Sequence, residues 1–129
     1  MAEAAPLVVL VETDLLLRRS YQRMARRLAI RLQAVGSAEE ALELIAKDGP
    51  PALVISALGL PGIDGLSFLG RVKREHPQVR LVLSSGADPG PRLDSGIGLL
   101  PKPVEAIALA RLVESLFAAE STSRPSPGR

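Results

Sequence analysis

The chain has 129 residues, which is enough for one ordinary domain and too few for two. Its 16 basic and 14 acidic residues nearly balance, and with one Tyr and two Phe it offers no base-stacking surface, so the composition argues against a nucleic-acid partner. The absence of Cys excludes disulfides and thiol–metal sites, and with no signal peptide and no apolar run long enough to span a bilayer we expect a cytoplasmic protein without a membrane partner.

The chain opens with a strand and an arginine-rich helix. Leu7–Glu12 is a short apolar run with β-branched residues, which is typical of a strand covered on both faces. In the helix that follows, apolar residues spaced by three and four share one face: Leu17, Tyr21, Met24 and Leu28. Five arginines between Arg18 and Arg27 occupy the rest of its circumference. We interpret them as a solvated face, with docking on an acidic partner or a phosphate backbone as the alternative.

A second strand and helix follow. Ile30–Val35 alternates apolar and polar residues like a strand. The sequence "SAEE" at Ser37–Glu40 is a capping box, in which Ser37 is the N-cap and Glu40 reaches back. The helix that it begins has a buried stripe of Ala38, Ala41, Leu42 and Ile45.

Three more strands and two helices complete the pattern. The strands are predicted over Ala52–Ala57, Arg80–Ser84 and Gly96–Leu100, and the helices over about Asp64–Glu75 and Val104–Ala118. Alternating strands and helices predict an α/β fold with a doubly wound, five-stranded parallel sheet. We place the domain at residues 1–119 and interpret 120–129 as a disordered tail or the start of a linker.

The connection between the fourth and fifth strands is unusually short for a crossover. It is the segment "GADPGPRLDSG", eleven residues from Gly86 to Gly96. Pro89, Gly90 and Pro91 oppose a regular helix within it. The sequence therefore predicts a shortened or missing fourth helix.

The candidate site lies where the strands end. In open parallel sheets, ligands bind at the carboxyl ends of the strands near the topological switch point. The residues at these ends are Glu12, Thr13, Asp14, Ala57, Ser84, Ser85 and Lys102.

The order of these strand ends resembles the receiver domain of bacterial response regulators, the CheY-like family. An acidic residue follows the first strand, and the segment "LPGIDG" follows the third. A hydroxyl residue follows the fourth strand, and "PKP" follows the fifth. The resemblance covers Leu7 to Phe117. It implies a flavodoxin-like fold and a role in two-component (phosphorelay) signal transduction. It also implies a signalling module that is not itself an enzyme.

In that family a carboxylate after the third strand accepts a phosphoryl group beside a divalent cation. The resemblance assigns the acidic pair to Glu12 and Thr13, with Asp14 nearby, and the acceptor to Ala57. It assigns the contacts with the phosphoryl oxygens to Ser85 and Lys102.

Two of these positions depart from the family pattern. Ala57 has only a methyl group, so no acyl phosphate can form on it, and the hydroxyl of Thr13 is a poor ligand for a hard cation. We therefore expect a degenerate receiver, or pseudo-receiver, that is not phosphorylated at the usual site. We expect no catalytic residue, no cofactor, and no metal beyond weak Mg²⁺ binding through Glu12, whose carboxylate we expect to pair with Lys102.

We expect a signalling protein as the partner, or a homodimer through the fifth strand and the last helix. The short connection should expose apolar surface beside Leu99 and Leu100.

Two alternatives to this function remain open at this point. The chain could be an atypical receiver phosphorylated on another residue such as Asp14 with residual Mg²⁺ binding, or a nucleic-acid accessory module that uses the arginine-rich helix. The sequence does not decide whether the Lys102–Pro103 bond is cis.

Overall fold

A computed structural model describes residues 7–86 and 96–123, with side chains as far as residue 116. These residues form one five-stranded parallel sheet: β1 (Val8–Val11), β2 (Leu32–Val35), β3 (Leu53–Ala57), β4 (Arg80–Ser85) and β5 (Ile97–Pro101). The strand order is β2-β1-β3-β4-β5, so the order reverses beside β1. This confirms the predicted doubly wound sheet and places its switch point between β1 and β3.

The helices of the described residues cover both faces of the sheet: α1 (Leu15–Arg27), α2 (Ala38–Asp48), α3 (Gly65–Glu75) and α4 (Ala106–Ser123). Side chains alternate along each strand, so Val8 and Leu10 pack on the side of α1 and α4. Val9 and Val11 pack on the side of α2 and α3. Burial of β1 and β3 on both faces explains why these strands are continuous apolar runs.

Side-chain caps fix where three helices begin. Asp14 accepts a hydrogen bond from the amide of Leu17 at the start of α1 (3.1 Å), and Asp64 accepts one from Ser67 at the start of α3 (2.9 Å). Ser37 caps α2 as predicted, while the Glu40 carboxylate accepts from the amide of Gly36. Because α1 and α3 begin just after β1 and β3, these caps also shape the carboxyl edge of the sheet.

The last helix is longer than predicted. It ends at Ser123, and residues 120–123, which we had assigned to the tail, continue it. The reason is local, since no Pro or Gly interrupts the chain between Pro103 and Pro125. Residues 124–129 lie outside the described part of the chain, as do residues 87–95, on which the predicted shortened or missing helix falls.

None of the helices in the described ranges combines the length and the apolarity that crossing a membrane requires.

Candidate functional site

Strand register places Ala57 beside Ser84 at the carboxyl edge of the sheet. Residues in register on neighbouring parallel strands point to the same face, so the methyl group of Ala57 and the hydroxyl of Ser84 share one side. Ser85, to which the resemblance assigned the pocket hydroxyl, is one residue farther along and pairs with Pro101. The register therefore favours Ser84 as the hydroxyl that faces position 57.

The Ser84 hydroxyl is buried and has no hydrogen-bond partner among the described residues. An unpaired buried hydroxyl costs about 1–3 kcal/mol, so native structures leave few of them. The side chain of its neighbour on β3, Ala57, offers no acceptor. The hydroxyl is thus left without a partner beside a residue whose side chain cannot form a hydrogen bond.

These two residues belong to an open depression of about 400 Å³. Its lining residues come from three strand ends: Ala57, Leu58, Gly59, Ser84, Ser85, Gly86 and Lys102. The structure therefore places Ala57, Ser85 and Lys102 around one depression. Thr13 and Asp14 are exposed and are not among the lining residues.

An ion pair between a partly exposed lysine and a buried glutamate crosses the same edge of the sheet. The ammonium Nζ of Lys102 lies 2.6 Å from Oε1 of Glu12, which confirms the predicted pairing. The other carboxylate oxygen of Glu12 accepts a hydrogen bond from the amide of Asp14 (2.9 Å). Glu12 is only 3 % exposed, so the ammonium group supplies the counter-charge that its burial requires. The peptide bond between Lys102 and Pro103 is cis.

The donor set does not fit a divalent cation. Mg²⁺ takes charged or carbonyl oxygens in octahedral geometry and gives up its waters reluctantly. Both oxygens of Glu12 are engaged, Thr13 is neutral and exposed, and Ala57 has no oxygen on its side chain. The described residues contain no group of three potential acidic, His or Cys ligands.

Gly65 holds the loop after β3 against the site, a role that the sequence analysis did not identify. Its amide donates to the carbonyl oxygen of Leu58 (2.8 Å), which closes the loop. A Cβ atom at this position would lie 1.9 Å from the carbonyl oxygen of Ala57. Only glycine allows α3 to begin so close to the end of β3.

Arg18 was also missed, because a helix pattern does not show which exposed arginine turns back to the sheet. Its guanidinium donates to the carbonyl oxygens of Glu12 (2.9 Å) and Thr13 (3.0 Å). It therefore anchors α1 to the end of β1, next to the buried carboxylate.

Replacing Lys102 with Met should lower the free energy of unfolding by about 2 kcal/mol, because the buried Glu12 carboxylate then lacks a counter-charge. The variant Lys47→Met, at an exposed position on α2, is the control and should change it by less than about 0.5 kcal/mol. Urea unfolding measures both. Adding Glu12→Gln to Lys102→Met should recover part of the loss. A double variant no more stable than Lys102→Met would contradict the ion-pair explanation.

Comparison with known proteins matches the chain to one family over most of its length. The model of the response regulator receiver domain matches residues 8–114. The C4-dicarboxylate transport transcriptional regulatory protein DctD of Rhizobium meliloti (strain 1021) is 30 % identical over 126 residues, which are 94 % of this chain and 26 % of DctD. The response regulator protein FleR of Pseudomonas aeruginosa is 33 % identical over 82 % of this chain and 23 % of FleR. The chain thus spans about a quarter of the length of these relatives.

Solved structures of receiver domains have the same fold as this chain. The signal receiver domain of an HD domain-containing protein from Pseudomonas fluorescens Pf-5 superposes with a TM-score of 0.78 at 26 % identity, covering 92 % of this chain and 98 % of that one. The receiver domain of the hybrid histidine kinase CckA superposes with a TM-score of 0.71, also at 26 % identity, covering 84 % of this chain and 96 % of that one.

Proposed function

This chain belongs to the response regulator receiver family, and we propose that it serves two-component signalling as a pseudo-receiver, a protein-binding module that takes no phosphoryl group at the usual position. The observation that carries the proposal is the methyl group of Ala57 at the end of β3, beside the unpartnered hydroxyl of Ser84. An acyl phosphate needs a carboxylate oxygen as the nucleophile.

The ion pair between Glu12 and Lys102 supports the same proposal. The lysine that would contact phosphoryl oxygens is already neutralised at 2.6 Å, and the carboxylate that would hold a cation is engaged through both of its oxygens. An incoming phosphoryl group would have to break the ion pair between Glu12 and Lys102 before it could bind the lysine.

The alternative acceptor, Asp14, has a structural task instead. Its Oδ1 accepts the hydrogen bond from Leu17 that starts α1, and its side chain lies outside the depression formed by Ala57, Ser84 and Lys102. Asp14 therefore does not line the depression that holds the Ser84 hydroxyl and Lys102. These contacts favour the pseudo-receiver over an acceptor at Asp14.

Phosphorylation normally stabilises one of the two conformations of a receiver over the other. Without a phosphoryl group, this domain lacks that source of bias. We therefore expect one constitutive binding surface for a signalling protein. The exposed side chains of Leu99 on β5 (51 %) and Ile107 on α4 (61 %) support a contact surface there. Dimerisation through β5 and α4 stays a prediction.

The proposal is tested by the response of the folded domain to a phosphodonor. The ¹H–¹⁵N spectrum of the wild-type chain should be the same before and after addition of Mg²⁺ and acetyl phosphate. Shifts around residues 57–59, 84–86 and 102 on addition of acetyl phosphate, absent with acetate, would contradict it.

A further inference from the structure

A groove runs between α1 and the outer edge of β2, away from the site just described. It has a volume of about 430 Å³ and is lined by Leu15, Arg18, Arg19, Gln22, Arg23, Arg26 and Ala34. Arg18 is held by backbone carbonyl oxygens at the end of β1. The other three arginines are exposed and form no ion pair with any residue in the described ranges.

Arg19, Arg23 and Arg26 are spaced by four and three residues, so their guanidinium groups follow one face of α1. At 1.5 Å per residue they extend along about 10 Å of helix. Like charges at these spacings repel each other, and α1 contains no acidic residue that would offset the repulsion. A row of carboxylates with the same spacing would relieve it.

The neighbouring contacts indicate the shape of the occupant. Gln22 donates to the carbonyl oxygen of Leu32 (2.9 Å) and accepts from the amide of Ala34 (2.6 Å). These are groups of the edge strand β2 that face away from β1, so an added strand could not use them. The groove also includes Leu15, which is half exposed, and the next residue, Leu16, is 75 % exposed. An amphipathic helix lying along α1 would need no free groups on the edge of β2, and its apolar side could cover the exposed leucines.

We infer that this groove docks an acidic helix of a signalling partner, with Asp or Glu at positions i, i+4 and i+7 opposite the three arginines and an apolar residue against Leu15. The inference rests on the proposed function, because it names the chemistry of the partner that the pseudo-receiver binds.

A phosphate backbone fits the same surface less well. The chain carries a net charge of only +2, a weak electrostatic footprint for a polyanion as long as a nucleic acid. The aromatic residues with described side chains, Tyr21 and Phe68, are buried, so neither offers a base-stacking platform. The basic surface is a short groove and not a continuous track.

A synthetic amphipathic helix of about 18 residues, long enough to form stable turns, provides the probe. It carries Glu at i, i+4 and i+7, is labelled with a fluorophore, and is titrated with the full chain at about 0.15 M salt. A second peptide with Gln in place of Glu is the peptide control. The variant Arg19→Gln/Arg23→Gln/Arg26→Gln should weaken binding of the acidic peptide at least about tenfold, because three exposed ion pairs are lost.

The variant Arg74→Gln/Arg80→Gln/Arg111→Gln is the matched control. It removes the same charge from exposed positions elsewhere and should change the affinity less than about threefold. Equal weakening by both triple variants would overturn the inference, as would equal binding of the Gln peptide. Tighter binding to a short DNA duplex or to phosphatidylserine vesicles than to the acidic peptide would overturn it as well.

Thermal unfolding of the groove variant separates binding from folding. Its melting temperature should equal or exceed that of the wild type, since repulsion within α1 falls. If the variant unfolds instead, salt titration of the wild-type complex decides, because three ion pairs should make the affinity fall steeply with ionic strength and a flat response would overturn the inference. Phosphoryl uptake by the wild-type chain would defeat the proposed function without changing any of these peptide results.

Discussion

The double variant Thr13→Asp/Ala57→Asp should take one phosphoryl group from acetyl phosphate in the presence of Mg²⁺. Asp at position 57 supplies the nucleophilic carboxylate, and the hydroxyl of Ser84 and the ammonium of Lys102 already flank that position. Asp at position 13 adds a charged oxygen to that of Glu12, and the resulting three carboxylates give the cation the ligands that the wild-type site lacks. Intact mass spectrometry measures the uptake.

The two halves of this variant have separable effects. Thr13→Asp alone should take up no phosphoryl group, because the acceptor is still a methyl group. Mg²⁺ affinity, measured by isothermal titration, should be millimolar or weaker in the wild type and at least about tenfold stronger in the double variant. Without Mg²⁺ the double variant should be less stable than the wild type, since three carboxylates repel one another. If the double change alters neither the uptake nor the affinity, the assignment of positions 13 and 57 is wrong.

The variant Gly65→Ala should lower the free energy of unfolding by about 3 kcal/mol, at the upper end of what overpacking costs. The added methyl group would lie 1.9 Å from the carbonyl oxygen of Ala57, and neither backbone segment can move away without disturbing the end of β3. Urea unfolding with a fixed m-value measures the change.

Gly70, in the same helix, provides the control. A Cβ there meets its nearest neighbour, a nitrogen of Arg74, at an ordinary distance of 3.7 Å. Gly70→Ala should therefore stabilise the protein by about 0.5–1 kcal/mol through helix propensity. If the two variants had similar stabilities, the close approach at Gly65 would not be a constraint.

The strands and helices could be predicted because each depends on local sequence. The apolar runs that became β1 and β3 are buried on both faces, and Asp64 and Ser37 cap helices at the predicted places. The end of α4 was missed because the predicted tail contains helix-compatible residues before its first Pro, so composition alone did not mark the boundary.

The site could be predicted where a residue's identity decides its chemistry. The pairing of Glu12 with Lys102 followed from residue type and order, whereas the loss of the acceptor at position 57 stays a prediction. Which serine lies in register with position 57 could not be predicted, because this depends on the register of β4 against β3, a relation between distant segments. The assignment of the phosphoryl contact to Ser85 stays a prediction. The same holds for Gly65, whose constraint exists only once α3 packs against the end of β3.

We propose that the wild-type chain has lost the phosphoacceptor chemistry of its family. Incubating the purified chain with acetyl phosphate and Mg²⁺ at neutral pH and weighing it intact tests this most directly. We expect an unchanged mass. A mass increase of one phosphoryl group that hydroxylamine removes would show an acyl phosphate on some carboxylate of this chain, and the domain would then not be a pseudo-receiver.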